Sequence, residues 1–396
     1  MKHVNLRYLE SPVLYDIKKN EMYEIDEEAL KVVSLFDGKN EIDEVIKKSG
    51  ASEDDVRNFI TYLFQNGLAF ENKSQKYVRD FNVKKAKEPT LRNLLIHITT
   101  ACNLRCVHCY IDKKQPIHLN KKIYSKILKY YDDMQGIKLM ISGGEPLLHP
   151  SFKDMILELE QYQFRKILFT NSLLLDESII RFLENKVEEI QISIDGTKSH
   201  EAFRKKDGSF EETINKIRIL KQYDFTISVS TMIHKKNVSE MNELQDVLRE
   251  LKVDNWYLDV PTITGDYNNN QDFHAKCEDA ANILNNYGWG EQIYDWEDDF
   301  ACGTHLCAIM ANGDVTKCGL FSEEPVGNLK DKSLEDCWNL IIENYIWKQA
   351  ELKCMKLNCP YISDCRGGCR YRAKTCTNDL FGIDEVKCRA FNFKFD

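Results

Sequence analysis

The positions of the cysteines constrain this chain more than any other feature of its sequence. None of the 14 cysteines falls in the first 101 residues, three lie between positions 102 and 109, and ten lie between positions 302 and 388. Cysteines used only for packing would be scattered along the chain. In a reducing compartment, where disulfides are rare, closely spaced thiols are typical of metal ligation. We therefore predict that these groups bind metal.

Composition and charge narrow the class of protein. Hydrophobic residues make up 43% of the 396 residues and charged residues 30%, an ordinary globular balance. The net charge of −9 argues against a protein that binds nucleic acids or anionic membranes. No apolar run reaches the roughly 18 residues of a membrane span, and residues 1–5 lack a signal-peptide pattern. We expect a cytoplasmic protein of two or three domains.

Residues 1–78 are predicted to form a first, winged-helix-like domain. Alternating apolar residues at 13–17 and 22–25 indicate a β-hairpin, three short helices follow, and residues 68–70 predict a return strand. A winged helix raises the hypothesis of DNA binding. The 11 basic and 15 acidic residues of this region give it a net charge of −4, which does not match the basic face that phosphates require. A charged linker at 79–93 follows.

Residues 94–299 alternate apolar strands with amphipathic helices such as Lys121–Asp133 and Phe152–Gln163. The predicted strands are Leu94–Thr99, Ile137–Ile141, Lys166–Thr170, Glu189–Ile194, Thr226–Met232 and Asn255–Val260. Repeated strand–helix units form a parallel sheet, open or closed into a barrel, with ligands at the carboxyl ends of the strands. Residues 300–396 are rich in cysteine and weakly periodic, as expected of a domain ordered around metal.

The first cysteine group follows the first of these strands. Cys102, Cys106 and Cys109 have the spacing CxxxCxxC. Three thiolates this close can bind three irons of one [4Fe–4S] cluster, which leaves the fourth iron open to a small molecule. Zinc is the alternative, with His108 as a fourth ligand. The position at the mouth of a sheet or barrel favours the cluster.

This motif, with Tyr110 directly after its last cysteine, resembles the cluster-binding loop of the radical S-adenosylmethionine (radical SAM) superfamily. The segment Ser142–Pro146, which reads SGGEP, follows the second strand and resembles the family's GGEP segment. Glycines there allow close backbone approach to the ammonium of SAM, and Glu145 adds negative charge. The resemblance implies an α/β fold with a partial (β/α)6 TIM-like barrel that binds SAM and a [4Fe–4S] cluster.

The same resemblance assigns further contacts with SAM. In similar enzymes a serine and an arginine grip the SAM carboxylate, and Ser193 and Arg204 take these roles here. Polar residues at the end of the third strand would hold the ribose. The full set of SAM-binding residues that the resemblance implies is Tyr110, Gly143, Gly144, Glu145, Pro146, Thr170, Asn171, Ser193, Asp195 and Arg204.

The C-terminal cysteines resemble the SPASM extension of radical SAM enzymes, which holds two auxiliary [4Fe–4S] clusters. The resemblance assigns the first cluster to Cys302, Cys307, Cys318 and Cys369, and the second to Cys354, Cys359, Cys365 and Cys388. Four residues separate Cys354 from Cys359, where the usual pattern has two. Structural zinc in one site is the alternative. Cys277 and Cys337 are predicted to be packing residues, and Cys376 a packing residue or a spare ligand.

The first domain resembles the recognition element of enzymes that modify ribosomally synthesised peptides (RiPPs). Such modules bind a leader peptide as an extra strand, here on the edge within residues 13–25 and beside a helix at 52–66. Together the resemblances imply that a 5′-deoxyadenosyl radical modifies a precursor peptide by forming a thioether or carbon–carbon cross-link. The electron donor would be a flavodoxin or ferredoxin. No protein base or nucleophile stands out.

Three alternatives stay open. The chain could be a maturase of a larger protein, as for sulfatases, or an enzyme that alters tetrapyrrole side chains. Both are radical SAM activities, and a leader-binding first domain favours the peptide instead. The third alternative is a winged-helix iron–sulfur regulator that senses redox state. The SAM-site residues and the acidic first domain count against it.

Overall fold

The computed structural model describes residues 3–71, 78, 81–111, 115–290 and 299–393. Residues 79 and 80 of the predicted linker lie outside this part of the chain. The elements of the first domain are β1 (Val4–Tyr8), β2 (Pro12–Asp16), β3 (Glu21–Glu24), α1 (Glu27–Ser34), α2 (Ile42–Ser49) and α3 (Glu53–Gln65). The strands form an antiparallel sheet in the order β1–β2–β3. The Ser52 side chain caps α3 by accepting a hydrogen bond from the Asp55 N–H.

The hairpin and the three helices of this domain are confirmed, but the predicted start of a return strand at residues 68–70 is wrong; residues 72–77, where it would continue, lie outside the described residues. Residues 68–70 are irregular, and β1, which the sequence did not predict, supplies the third strand of the sheet. The reason lies at the end of α3, where the backbone N–H groups of Leu68 and Ala69 both donate to the Leu63 carbonyl. These groups complete the helix terminus, and the Leu68 side chain is buried in the domain core.

The first domain packs firmly against the rest of the chain. Arg7 on β1 is only 2% exposed and donates to the Asp132 carboxylate over 2.6 Å. Arg165 donates to the Ile17 carbonyl over 2.7 Å. Leu9, Val13, Tyr15 and Ile17 form one apolar cluster with Ile137. Removing the first domain would therefore expose Ile137 and take away the ion-pair partner of Asp132.

The central domain contains the predicted strands and helices, except that the predicted helix Phe152–Gln163 ends at Glu158 and is followed by a 3-10 turn at Leu159–Gln161. Its elements are β4 (Asn93–Thr99), α4 (Lys121–Asp133), β5 (Lys138–Gly143), α5 (Phe152–Glu158), β6 (Arg165–Thr170), α6 (Glu177–Leu183), β7 (Glu189–Ser193), α7 (His200–Arg204), α8 (Ser209–Leu220), β8 (Thr226–Met232), α9 (Met241–Glu250), β9 (Asn255–Asp259) and α10 (Cys277–Asn286). Strands β4 to β9 are all parallel neighbours. The expected partial barrel of six strands is confirmed.

The cysteine-rich region extends the same sheet. Its elements are β10 (Leu306–Ile309), β11 (Asp314–Thr316), β12 (Gly327–Asn328), α11 (Leu334–Tyr345), α12 (Ile362–Cys365), α13 (Arg370–Thr377) and α14 (Glu385–Ala390). Within the described residues the main sheet has nine strands in the order β12–β11–β10–β4–β5–β6–β7–β8–β9. The pairing of β10 with β4 is parallel, so the C-terminal region begins beside the strand that leads to the CxxxCxxC loop.

The main core lies between this sheet and the surrounding helices. Alternate residues of β4, namely Leu94, Ile96 and Ile98, are fully buried there, so Leu95 and His97 point to the opposite, inward face. None of the helices described here has the length and apolar character needed to cross a membrane.

Candidate active site and cysteine centres

The GGEP segment is bound directly to the CxxxCxxC loop. The Gly144 N–H donates to the Thr99 carbonyl and the Glu145 N–H to the Ala101 carbonyl, each over 2.7 Å. A Cβ atom at Gly143 would lie 2.3 Å from the Thr99 oxygen, and one at Gly144 would lie 2.2 Å from the Ala101 oxygen. Only glycine permits this approach, so the two glycines first serve to hold the cysteine loop at the carboxyl ends of β4 and β5.

Glu145 joins this loop to the next strand. Its carboxylate is fully buried and accepts hydrogen bonds from the Thr170 hydroxyl over 2.8 Å and the Asn171 N–H over 2.9 Å. Burial raises the pKa of Glu145 to about 7, although these donors favour the ionised form. The Asn171 amide also donates to the Asn103 side chain over 2.8 Å. Thr170 and Asn171 thus position Glu145 and the cysteine loop together.

We predict that SAM binding depends on pH through Glu145. A carboxyl group with a raised pKa must release its proton to pair with the SAM ammonium, so affinity should rise by about tenfold between about pH 5.5 and about pH 7.5. In the SAM-free protein the sign is opposite: the group stabilises the fold most below about pH 4.5, and this stabilisation is lost as pH rises through about 7. Calorimetric measurements of SAM binding and of thermal unfolding, each as a function of pH, test the two trends. The Glu145→Gln variant should show neither of them.

The end of β7 carries an ion pair that fixes the predicted carboxylate-binding arginine. Arg204 Nε lies 2.5 Å from the fully buried Asp195 carboxylate, and Arg204 Nη1 lies 3.6 Å from Cys106 Sγ. Burial alone would raise the pKa of Asp195, but the Arg204 guanidinium lowers it overall. Asp195 therefore orients Arg204, and the guanidinium faces the cysteine loop. Ser193 ends β7 nearby.

The structure brings three of the four cysteines assigned to the first auxiliary cluster near one another. Burial, followed by the neighbouring Cys302 thiolate, raises the pKa of Cys318 to about 11. Burial is also the main reason why the pKa of Cys369 is raised. The nearby Cys302 raises it further, whereas the Arg372 guanidinium opposes the shift. Lys317 is buried beside Cys302 and Cys318 and donates to the Gly303 carbonyl. The side chains of Cys302, Cys318, Cys369 and Lys317 thus lie near one another at the end of β11.

Cys307, the fourth residue assigned to that cluster, lies elsewhere. It is in β10 opposite Leu94 and is 0% exposed within the main apolar core. Burial raises its pKa, and the neighbouring thiol is Cys337 of α11. Residues that lie opposite each other on neighbouring strands point to the same face of a sheet. Leu94 points toward the helices, so Cys307 points toward them as well. The register therefore directs Cys307 into the apolar core, although Lys317 lies near Cys307 as well as near Cys302 and Cys318.

The four cysteines assigned to the second auxiliary cluster are neighbours. Burial, and then Cys365, Cys354 and Cys359, raise the pKa of Cys388 to about 12. The unusual spacing between Cys354 and Cys359 is therefore compatible with a common site. Asp384 begins α14 just before Cys388, and it is held by Arg372 over 2.8 Å.

The remaining cysteines differ in exposure. Cys337 is fully buried in α11, Cys277 is half-buried at the start of α10, and Cys376 is exposed on α13. In the described part of the chain, no three His, Cys, Asp or Glu side chains are arranged to hold a single metal ion. Thiolates that bind separate irons of a cluster do not need that arrangement. The grouped thiols, with Arg204 and Lys317 as nearby cations, fit iron–sulfur clusters.

A cysteine series should separate ligands from packing residues. Cys307→Ala is expected to keep the full iron content and to lose only about 1 kcal/mol of stability, because a buried packing atom is removed. Cys318→Ala should lose the iron of the first auxiliary site, and Cys359→Ala with Cys365→Ala that of the second. Iron analysis and electron paramagnetic resonance after anaerobic reconstitution measure this. Iron loss from Cys307→Ala would show instead that it is a ligand.

Sequence reasoning missed one inward-facing residue of the site, His97. Its Nε2 atom lies 3.4 Å from the Tyr110 hydroxyl, and burial lowers its pKa to about 4. The sequence feature that could have identified it is a histidine among alternating apolar residues, in the strand that leads directly to the cysteine motif. Tyr110 is thereby placed inside the barrel.

Comparison with known proteins gives the class of this molecule. Residues 96–264 match the family model of the Radical SAM superfamily. The chain is 26% identical over 303 residues to the antilisterial bacteriocin subtilosin biosynthesis protein AlbA of Bacillus subtilis (strain 168). The aligned region covers 69% of this chain but only 65% of AlbA. It is also 26% identical over 334 residues to the AdoMet-dependent heme synthase of Methanosarcina barkeri (strain Fusaro), covering 71% of this chain and 92% of that protein.

A solved structure shares the whole architecture. Streptococcus suis SuiB is 16% identical to this chain, and the superposition covers 98% of this chain and 99% of SuiB. The TM-score is 0.65 for SuiB bound to S-adenosylmethionine and 0.63 for SuiB bound to the precursor peptide SuiA. With the parallel barrel and the two matching motifs, these findings show that the chain contains a radical SAM domain over residues 96–264. Such a domain is the part of a radical SAM enzyme that binds SAM and a [4Fe–4S] cluster.

Proposed function

We propose that this enzyme modifies a ribosomally synthesised precursor peptide whose leader binds beside β3 of the first domain. The observation that carries the proposal is the edge of the first sheet at β3, which pairs with no second strand among the described residues, on a chain that resembles a bacteriocin biosynthesis protein and has the fold of SuiB. The domain limits 1–78, 79–93, 94–299 and 300–396 are part of this proposal.

Strand β3 has the backbone geometry to receive a peptide strand. The Ile25 N–H donates to the Pro12 carbonyl over 3.0 Å, and hydrogen-bonded pairs alternate along antiparallel strands. With Leu14 opposite Tyr23, the pairs Pro12–Ile25 and Leu14–Tyr23 are therefore the bonded ones. The backbone groups of Met22 and Glu24 then point away from β2, toward the open edge. A peptide could pair with them by strand addition.

The surroundings of this edge also suit a peptide. Tyr23 packs against the cluster that contains Leu63 of α3, so α3 lies next to β3. Helix α3 exposes two large apolar side chains, Tyr62 and Phe64, with Tyr62 47% exposed. Apolar contacts beside a strand edge would give a bound peptide affinity and specificity. The acidic balance of residues 1–78 favours a leader that is not strongly acidic.

The barrel residues would prepare the substrate and cofactor for reaction. In this superfamily SAM and a [4Fe–4S] cluster supply a 5′-deoxyadenosyl radical, which can take hydrogen from an unactivated carbon. Here Cys102, Cys106 and Cys109 would hold the cluster, Arg204 would bind the SAM carboxylate, and Glu145 would lie near the ammonium. Enclosure by the barrel would exclude water from the reacting groups.

The two C-terminal cysteine groups would hold auxiliary clusters. One group has three neighbouring thiols and the other four, which suits an oxidative reaction that must remove electrons from the substrate. Formation of a thioether or a carbon–carbon cross-link is such a reaction. A flavodoxin or ferredoxin would provide the electron that starts the reaction, and we expect the enzyme to act in the cytoplasm.

Co-expression with the short open reading frames beside this gene tests the proposal. One of these peptides should lose the mass of two hydrogen atoms for each cross-link formed, and the loss should disappear with the triple alanine variant of the CxxxCxxC motif. Tandem mass spectrometry would locate the bond. Unchanged peptides from every neighbouring frame, combined with turnover of a tetrapyrrole by the purified enzyme, would contradict the proposal and favour the heme-synthase resemblance.

A further inference from the structure

The loop of residues 195–199, between β7 and α7, is held by a buried carboxylate from another part of the barrel. Glu240 directly precedes α9 and is only 7% exposed. Its Oε2 atom accepts hydrogen bonds from three successive backbone N–H groups, those of Thr197, Lys198 and Ser199, over 2.8, 3.0 and 3.2 Å. The Ser199 hydroxyl donates to the same oxygen over 3.1 Å. Charge-assisted hydrogen bonds of this kind stabilise one conformation of the loop.

A glycine lets this carboxylate approach the backbone. Gly196 has a φ of +124°, and a Cβ atom there would lie 2.4 Å from Glu240 Oε2, so a side chain would push the carboxylate away. Two further residues after β8 hold the start of the loop. The Asp195 carbonyl accepts a hydrogen bond from the Asn237 amide over 3.1 Å and lies 3.1 Å from His234 Nε2.

The loop leads into the helix that carries Arg204. Helix α7 has only five residues, and the Ser199 carbonyl before it accepts a hydrogen bond from the Phe203 N–H over 3.0 Å. Helices this short are not stable by themselves. The Phe203 ring stacks on His234 with centroids 4.1 Å apart, and the Phe203 carbonyl accepts from the Val107 N–H of the cysteine loop over 2.8 Å. The position of Arg204 therefore depends on contacts from outside the helix.

Both partners of the ion pair depend on this loop. Asp195 is its first residue, and Arg204 ends the helix that follows it. The Arg204 side chain reaches from Asp195 to within 3.6 Å of Cys106 Sγ. A movement of the loop would therefore shift the guanidinium relative to the cysteine loop.

We propose that Glu240 is a positioning residue for SAM binding, because it holds the loop that sets Arg204 in place for the SAM carboxylate. Arginine binds a carboxylate through two parallel N–H bonds, so its orientation matters as well as its charge. Glu240 acts through the loop and not by touching SAM. The inference rests on the proposed role of Arg204 and adds to it the residue that fixes the orientation of the guanidinium.

Glu240→Ala should weaken SAM binding by about tenfold while iron content stays complete, because the guanidinium loses its fixed orientation. Glu240→Gln is the conservative variant: its amide oxygen can accept from the same N–H groups, and SAM affinity should stay within about threefold of the wild type. Calorimetric titration of SAM into the anaerobically reconstituted full-length protein measures the affinity. The titration needs no peptide, so its outcome is independent of whether the enzyme modifies one.

A matched control is Glu243→Ala, two and a half ångströms of contact geometry aside from the buried network. The Glu243 carboxylate forms an ion pair with Lys198 over 3.0 Å, and both side chains are at least half exposed. Exposed pairs contribute little, so this variant should bind SAM like the wild type.

A double-mutant cycle with Arg204→Lys shows whether Glu240 acts through Arg204. Lysine keeps a positive charge beside Asp195 but lacks the planar fork, so Arg204→Lys alone should weaken SAM binding by about tenfold. If Glu240 orients the guanidinium, the double variant should also bind about tenfold more weakly, and not about a hundredfold. Additive losses, or an unchanged affinity of Glu240→Ala, would overturn the inference. An unchanged affinity of Arg204→Lys would contradict the proposed role of Arg204, and the inference would fail with it.

Ser199→Ala gives a second test should Glu240→Ala lose iron. It removes only the hydroxyl that lies 3.1 Å from Glu240 Oε2 and 3.3 Å from the Asp195 carbonyl oxygen. SAM binding should weaken by about threefold, and this loss should disappear in the Arg204→Lys background. A wild-type affinity of Ser199→Ala would contradict the proposed role of the Glu240 contacts.

Discussion

Replacing Cys102, Cys106 and Cys109 together by alanine is expected to abolish reductive cleavage of SAM. The reconstituted wild type should hold about twelve irons in three clusters, and the triple variant should lose about four of them. The loss is confined to one cluster because the C-terminal thiols form their own groups around Cys302 and Cys388. Iron analysis, with chromatography of 5′-deoxyadenosine after reduction by dithionite, measures both effects.

A matched control is Cys277→Ala, which removes a thiol outside the three groups. It should keep all of the iron and the wild-type rate of SAM cleavage. Cleavage of SAM by the triple variant at more than a trace rate would show that the CxxxCxxC motif does not bind the catalytic cluster. Zinc at about one per chain in anaerobically purified protein would contradict the two-cluster interpretation of the C-terminal region.

The second large effect is expected from Glu24→Pro on the open edge of β3. Proline removes the backbone N–H that points away from β2, so an added peptide strand would lose a hydrogen bond and meet the proline ring. The Leu14–Tyr23 pairing within the domain is preserved because Glu24 does not donate to β2. We expect the leader peptide to bind at least about tenfold more weakly and precursor modification to fall accordingly.

Glu24→Ala is the control because it removes the same side chain but retains the N–H. This variant should bind the leader like the wild type in fluorescence anisotropy, and both variants should cleave SAM without peptide at an equal rate. Equal leader binding by Glu24→Pro and Glu24→Ala would exclude strand addition at β3. That result would indicate instead that the leader binds through the exposed apolar residues of α3.

Point substitutions test this domain more cleanly than its deletion. Every assigned metal ligand lies beyond residue 100, so the positions of the ligands alone would allow the first domain to be deleted. The structure shows that Arg7 reaches Asp132 and that Arg165 reaches the Ile17 carbonyl. Deletion would remove these contacts and expose the apolar side chain of Ile137, so a loss of activity on truncation would not report on peptide binding alone.

The sequence by itself determined the barrel and its two motifs. The predicted strand Thr226–Met232 and helix Lys121–Asp133 match the structure at both ends, and the other barrel strands match within two residues. These elements follow from periodicity over a few residues, which a sequence displays directly. The spacing of Cys102, Cys106 and Cys109 and the glycines before Glu145 are equally local signals.

Tertiary structure decided which distant side chains meet. The register between β10 and β4 sets Cys307 opposite Leu94 and turns it into the core, although its spacing resembles that of a ligand. Tyr110, His97 and Gly319 come together only when the SAM-binding loop, β4 and the end of β11 are in place. Local patterns cannot specify such contacts because a shift of one residue in strand pairing moves a side chain to the other face of the sheet.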